Sequence, residues 1–174
     1  AGMIVVRSES PIQSLEDLNE QTWGIPGPDS RTGTIFFNAL FQEMGITPGA
    51  VTEYAGESRA MSAVYSSEVA FATATFIAPI LPYNDAQWEY GIDSPELWRD
   101  TFAVPVRSGI GYVIVNGDVN QGGYRLREAR AALLDTVPGI FNETRIVALT
   151  PPIPFEAVAY GAELPFNIAN EVAV

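Results

Sequence analysis

Two successive units of strand, short loop and helix fill the first half of this chain, and they leave few ways to fold it. Thr22–Pro26 (TWGIP) reads as a strand. It runs through a Gly/Pro loop into apolar residues at helical spacing, Ile35, Phe36, Ala39, Leu40 and Phe41, and Gly45 closes the segment. Val51–Gly56 (VTEYAG) reads as the next strand, and Ser58 is a candidate cap for a helix carrying Ala60, Met61, Val64 and Tyr65. Val69–Phe76 (VAFATATF) is a continuous β-prone run, as expected of a strand covered on both faces. Strands alternating with helices across such short connections lie side by side in one direction. The expected fold is an α/β lobe with three layers, α/β/α, around a mostly parallel sheet.

The remaining segments extend this pattern. Met3–Arg7 is a short β-rich run, and Ser14-Leu15-Glu16-Asp17 resembles a capping box. Residues 79–95 are polar and turn-rich, reading as a loop or short helix. Thr101–Val106 and Tyr112–Asp118 restore β character, and Arg145–Thr150 reads as a strand. Tyr124–Thr136 reads as an amphipathic helix, with Leu126, Ala129, Leu133 and Leu134 on one side and three arginines on the other. After the proline-rich break at PPIP, Ala157–Gly161 reads as a last strand. No repeat or low-complexity tract divides the 174 residues, so one domain over 1–174 is expected. The opening AGMIVVRSES has no signal-peptide pattern. No apolar run reaches the roughly 18 residues of a membrane span, so no membrane insertion of this segment is expected.

Composition prunes the chemistry. The chain has no Cys, no His and no Lys. Thiolate nucleophiles, Schiff bases, phosphate-loop lysines and the commonest metal ligands are therefore absent, and no cofactor or metal is expected. Twenty-one acidic residues against nine basic ones give a net charge of −12, which argues against nucleic acid as a partner. The acids share no motif that would single out a catalytic pair, so a hydrolase using paired carboxylates has little support.

Three places could hold a ligand. In GPDSRTGT, a helix start supplies unpaired backbone N–H groups, Ser30, Thr32 and Thr34 add hydroxyls, Gly33 leaves the backbone open to approach and Arg31 adds a cation. The plainer alternative is a helix cap at Asp29 or Ser30. In YAGES, a second strand-to-helix junction would open on the same sheet edge; Glu57 could orient a ligand's donor group, or simply favour the helix dipole beside a capping Ser58. In TPPIPFE, three prolines form a stiff crossing that ends at Glu156, a candidate ligand contact or a solvated carboxylate.

Three longer stretches carry a resemblance. SPIQSLEDLNEQTWGIPGPDSRTG is similar to the "S.I.SL.DLKGK.…DP.STSG" stretch of phosphonate- and phosphate-type substrate-binding proteins of ABC transporters. YAGESRAMSAVYSSEVAFATATF is similar to their next block, a His-containing turn leading into "AV..GEVDA". YRLREARAALLDTVPGIFNETRIVALTPPIPFE resembles their later block ending in "IPND". The resemblance implies one lobe of a two-lobed receptor, type II periplasmic-binding-protein-like, with a small anionic ligand in the cleft between lobes and an ABC permease as partner. It implies an extracytoplasmic setting, a lipid anchor on the full-length protein, a first lobe missing here and a truncated C-terminus. The "STSG" start falls on Ser30, Arg31, Thr32 and Gly33, with Arg31 in place of a hydroxyl. The family's His aligns with Glu57 and the Asp of "GEVDA" with Ala70, while "PND" becomes Pro154-Phe155-Glu156. An acid at 57 disfavours a bare phosphonate and favours a ligand with a cationic or hydroxyl-rich part. A ligand-sensing domain of a receptor or regulator with the same fold is the alternative.

Overall fold

The computed structural model describes residues 1–82, 87–107, 113–115 and 123–153. Its centre is a five-stranded sheet made of β1 (Gly2–Arg7), β2 (Trp23–Ile25), β3 (Val51–Glu53), β4 (Phe71–Thr75) and β8 (Thr144–Leu149), in the spatial order β3-β2-β4-β1-β8. β2 pairs parallel with both β3 and β4, and β1 pairs antiparallel with both β4 and β8. Four strands therefore run one way and β1 alone runs against them, so the sheet is mostly parallel, as expected.

Period-two alternation along β1 and β4 divides the core. Met3 and Val5 join Ala72 and Ala74 in a cluster under α2 (Glu57–Tyr65), which contributes Ala60, Met61, Ala63 and Val64. Ile4, Val6 and Phe71 face the other way, onto Trp23, Ile25 and the helix α1 (Phe36–Met44) through Phe37 and Phe41. Helices thus cover both faces of the sheet, and β4 is buried as its continuous β-prone run predicts.

Two expectations are corrected. Ile35 and Phe36 do not lie on the inner face of their helix; they are 49% and 37% exposed, and Phe37 points inward together with the expected Phe41. The cause is a π-helical turn over Arg31–Ile35, whose one extra residue turns the following helix face onward. The Tyr124–Thr136 helix does not form. Tyr124–Leu126 is a strand, β7, and Ala129–Leu133 is a 3-10 helix. β7 is claimed by β6 (Val113–Val115) in a second, antiparallel sheet of three strands completed by β5 (Val106–Arg107), and Arg125 also exchanges two backbone bonds with Ile80. Strand pairing supplied by distant residues overrides the local helical period. This sheet packs through Val115 and Leu126 on Trp98, Leu134, Ile140 and Phe141, the last two from the short helix α3 (Ile140–Glu143).

A charged cluster lies in that third region. Arg130 is 1% exposed. It donates to Glu128 Oε1 and Glu96 Oε1, each at 2.7 Å, and to the Thr144 carbonyl at 3.3 Å. Arg99 adds a two-pronged contact to Glu96 at 2.9 and 2.7 Å, and Glu96 also accepts the Ile146 N–H at 3.1 Å. Burial alone would push the Glu96 carboxyl upward; Arg130, Arg99 and these hydrogen bonds outweigh it and hold its pKa below the ordinary value. Arg130, read from sequence on the side of a helix opposite its apolar residues, instead fastens the start of β8 to two irregular segments.

Candidate functional site

The carboxyl ends of β2, β3, β4 and β8 meet the beginning of β1 along one edge of the large sheet. Crevices outside such strand ends are where open α/β sheets hold small molecules. Two of the three predicted places lie on this edge, since the loop after β2 leads to Ser30–Thr34 and the loop after β3 leads to Glu57 and Ser58. Glu156, with the final strand expected at 157–161, lies outside the described residues.

The opening loop is built from its own hydrogen bonds. Ser30 Oγ accepts the Gly33 N–H at 3.1 Å, as a helix cap does, and the Ser30 carbonyl accepts both the Thr34 and Ile35 N–H groups at 2.8 and 2.9 Å. Thr34 Oγ1 is buried and donates to the Gly27 carbonyl at 2.6 Å. Gly33 is glycine because of crowding: a Cβ there would stand 2.4 Å from Pro26 Cγ and 2.8 Å from Ser30 Oγ. The backbone at Gly33 is therefore covered by protein, not open to a ligand as the sequence reading had it. Arg31 is exposed and Thr32 half-buried, and among the described residues no acceptor takes the Thr32 N–H.

Thr32 connects this loop to the next. Its Oγ1 lies 2.6 Å from Thr75 Oγ1, at the end of β4. Thr75 Oγ1 in turn donates to Glu57 Oε1 at 2.6 Å, and the Thr75 N–H donates to the same oxygen at 2.8 Å. Glu57 is the first residue of α2, reached through Gly56, whose φ of 92° is a conformation that favours glycine. The two helix starts are thus joined by a line of oxygens, Thr32–Thr75–Glu57. Ser58 takes no part and caps no helix. Gly56 stands at the cap position, and the Ser58 hydroxyl donates to the Ala129 carbonyl at 3.3 Å.

Proton counting sets the polarity of that line. A hydroxyl has one proton to donate, and a carboxylate has none. Thr75 gives its proton to Glu57, so the short contact with Thr32 is filled by the Thr32 proton. Thr32 Oγ1 is left with lone pairs only. Thr34 has likewise spent its proton on Gly27, whereas Ser30 Oγ accepts from Gly33 and keeps its own proton to give. Donors gather around Ser30, Arg31 and the Thr32 amide, and acceptors around Thr32 Oγ1 and Glu57.

Sequence reading missed Thr73 and Thr75. Thr73 is fully buried, accepts the Trp23 indole N–H at 2.9 Å and donates to the Gly33 carbonyl, so it seats the opening loop on the sheet. The available signal was a hydroxyl at alternate positions of an otherwise apolar strand, since a buried hydroxyl needs a partner. Among the described residues no three His, Cys, Asp or Glu side chains are grouped to hold a metal ion, and no helix is long and apolar enough to cross a membrane.

A mostly parallel sheet that brings two helix starts and a hydrogen-bonded acid to one edge is an α/β fold of the kind that can hold a small molecule at its strand ends. The chain belongs to the family described as ABC transporter, phosphonate, periplasmic substrate-binding protein, which matches residues 1–173. Membership makes its setting extracytoplasmic and its partners a small molecule and an ABC permease. A comparison with curated proteins returned no match.

Proposed function

We propose that this chain is the solute-binding part of an ABC importer that takes a small molecule with an acidic end and a cationic or hydroxyl-bearing end, and that it binds without catalysing a reaction. The observation that carries this reading is the Thr32–Thr75–Glu57 line beside the Ser30 cap. Ser30 Oγ–H, the Thr32 amide and the Arg31 guanidinium would hold the acid, helped by the positive end of the helix that follows. Thr32 Oγ1 and Glu57 would receive the ammonium or hydroxyl. Gly33, Thr34 and Thr75 position these groups. The ligand would lie between this lobe and a second one, and closure of the two would report occupancy to the permease.

Calorimetry of the protein with an alkylphosphonate and its ω-amino counterpart tests this. The amino compound binds more tightly, and Glu57→Gln lowers that preference about tenfold, the scale of one charge-assisted hydrogen bond. Equal affinity for the two compounds, or an affinity unmoved by Ser30→Ala with Arg31→Ala, overturns the assignment.

A further inference from the structure

We propose that the cavity between Pro79–Leu81 and Trp88 is a second binding site, one for a small organic monocarboxylate with a flat apolar body, its acid group held by Arg127. The cavity has a volume of about 370 Å³ and is lined by Pro79, Ile80, Leu81, Gln87, Trp88 and Arg127, together with Ala78. That volume lies within the range of small-molecule pockets, and the wall exposes polar and apolar atoms in equal measure. The lining follows directly on β4 and includes none of Ser30–Thr34, Glu57 and Ser58, so it can be tested separately from the importer reading.

The walls are fixed before any ligand arrives. Ile80 exchanges two backbone bonds with Arg125, at 3.0 and 2.9 Å. The Trp88 ring packs 4.9 Å from Phe76, and its indole N–H is spent on the Ser94 carbonyl at 3.0 Å. Trp88 therefore offers a ring surface and no free donor, which suits a flat apolar body. Polar recognition falls to Gln87 and Arg127.

Arg127 is the cation of this lining, and like Arg59 it has no carboxylate partner among the described residues. Arg7, Arg99, Arg107 and Arg130 are each bound to a carboxylate, and Arg145 donates to backbone carbonyls. Arg127 is exposed and makes no ion pair or hydrogen bond among the described residues. In a chain carrying twenty-one acids, a cation at a cavity with no carboxylate partner among the described residues is available to an anionic ligand. Its planar fork matches a carboxylate with two parallel hydrogen bonds. One guanidinium and one amide balance a single negative charge, which selects a monoanion over a dianionic phosphonate.

Trp88 reports the test, since Trp23 and Trp98 are buried. The protein is titrated with phenylacetate and with phenylacetamide, which share a shape and differ in charge, while tryptophan emission is followed and calorimetry repeats the measurement. The expected result is a saturable change, with the acid binding about tenfold more tightly than the amide. Arg127→Gln brings the two within about twofold of each other, and Trp88→Ala weakens both in calorimetry by a similar factor of about ten. The proposal is overturned if neither compound binds, if acid and amide bind equally, if Arg127→Gln leaves their ratio unchanged, or if benzylphosphonate binds more tightly than phenylacetate.

Discussion

Gly33 and Thr75 show how single side chains set the candidate site. Gly33 sits where Pro26 and Ser30 leave no room for a methyl group, and its N–H and carbonyl are taken by Ser30 and Thr73. Gly33→Ala is expected to lower stability by about 1–3 kcal/mol, the usual cost of forcing one carbon into packed surroundings. It should appear as a lower urea midpoint at unchanged slope, and an unchanged midpoint would mean that Pro26 moves aside freely. At this scale the sequence was partly legible. Ser30 was a recognisable cap because a hydroxyl ahead of a helix has a known local use. The partners of Thr32 and Glu57 were not legible, because Thr75 lies 43 residues from Thr32 and 18 from Glu57 and reaches them only once β4 is seated beside β2.

Among the elements, the strand-to-helix units were legible and the region after β4 was not. β2, α1, β3, α2 and β4 follow each other with the period and punctuation that local physics imposes. The segment from Tyr124 onward was misread because Leu126, Ala129 and Leu133 fit a helical period, although β6 and Ile80 decide their conformation. Arg130 was misread for a related reason, since charge is normally solvated and its two carboxylate partners had no local signature. Removing it is expected to be severe. Arg130→Met leaves Glu96 and Glu128 buried and facing each other, at a cost of about 3–5 kcal/mol in denaturant unfolding. Glu96 also gives a pH dependence of known sign. Its folded pKa lies below the ordinary 4.5, so its contribution is complete above that value and is lost as pH falls through the folded pKa. The stability of the unaltered protein should therefore drop below about pH 4.5 by more than that of Glu96→Gln. Parallel curves for the two proteins would remove Glu96 from the account.

The whole molecule carries a net charge of −12 with Arg7, Arg99, Arg107 and Arg130 already in ion pairs, so its surface repels itself. Raising salt from about 0.01 M to about 0.15 M shortens the screening length from about 30 Å to about 8 Å. The unfolding midpoint should rise over that interval, because exposed repulsion is relieved while the buried Glu96–Arg130–Glu128 cluster is hardly screened. A falling midpoint would mean that exposed ion pairs outweigh the net charge.

β1 sets a timetable for synthesis. It lies between β4 and β8, yet it leaves the ribosome before either of them, and Thr144 follows Arg7 by more than a hundred residues. At about 5–20 residues per second, β1 waits roughly 7–30 s for its second neighbour. During that time the sequence GMIVVR offers a bare, apolar backbone edge to any other nascent strand. The strand that ends as the most enclosed in the sheet is thus the one longest at risk of pairing with the wrong partner, and a slower ribosome would lengthen that risk in direct proportion.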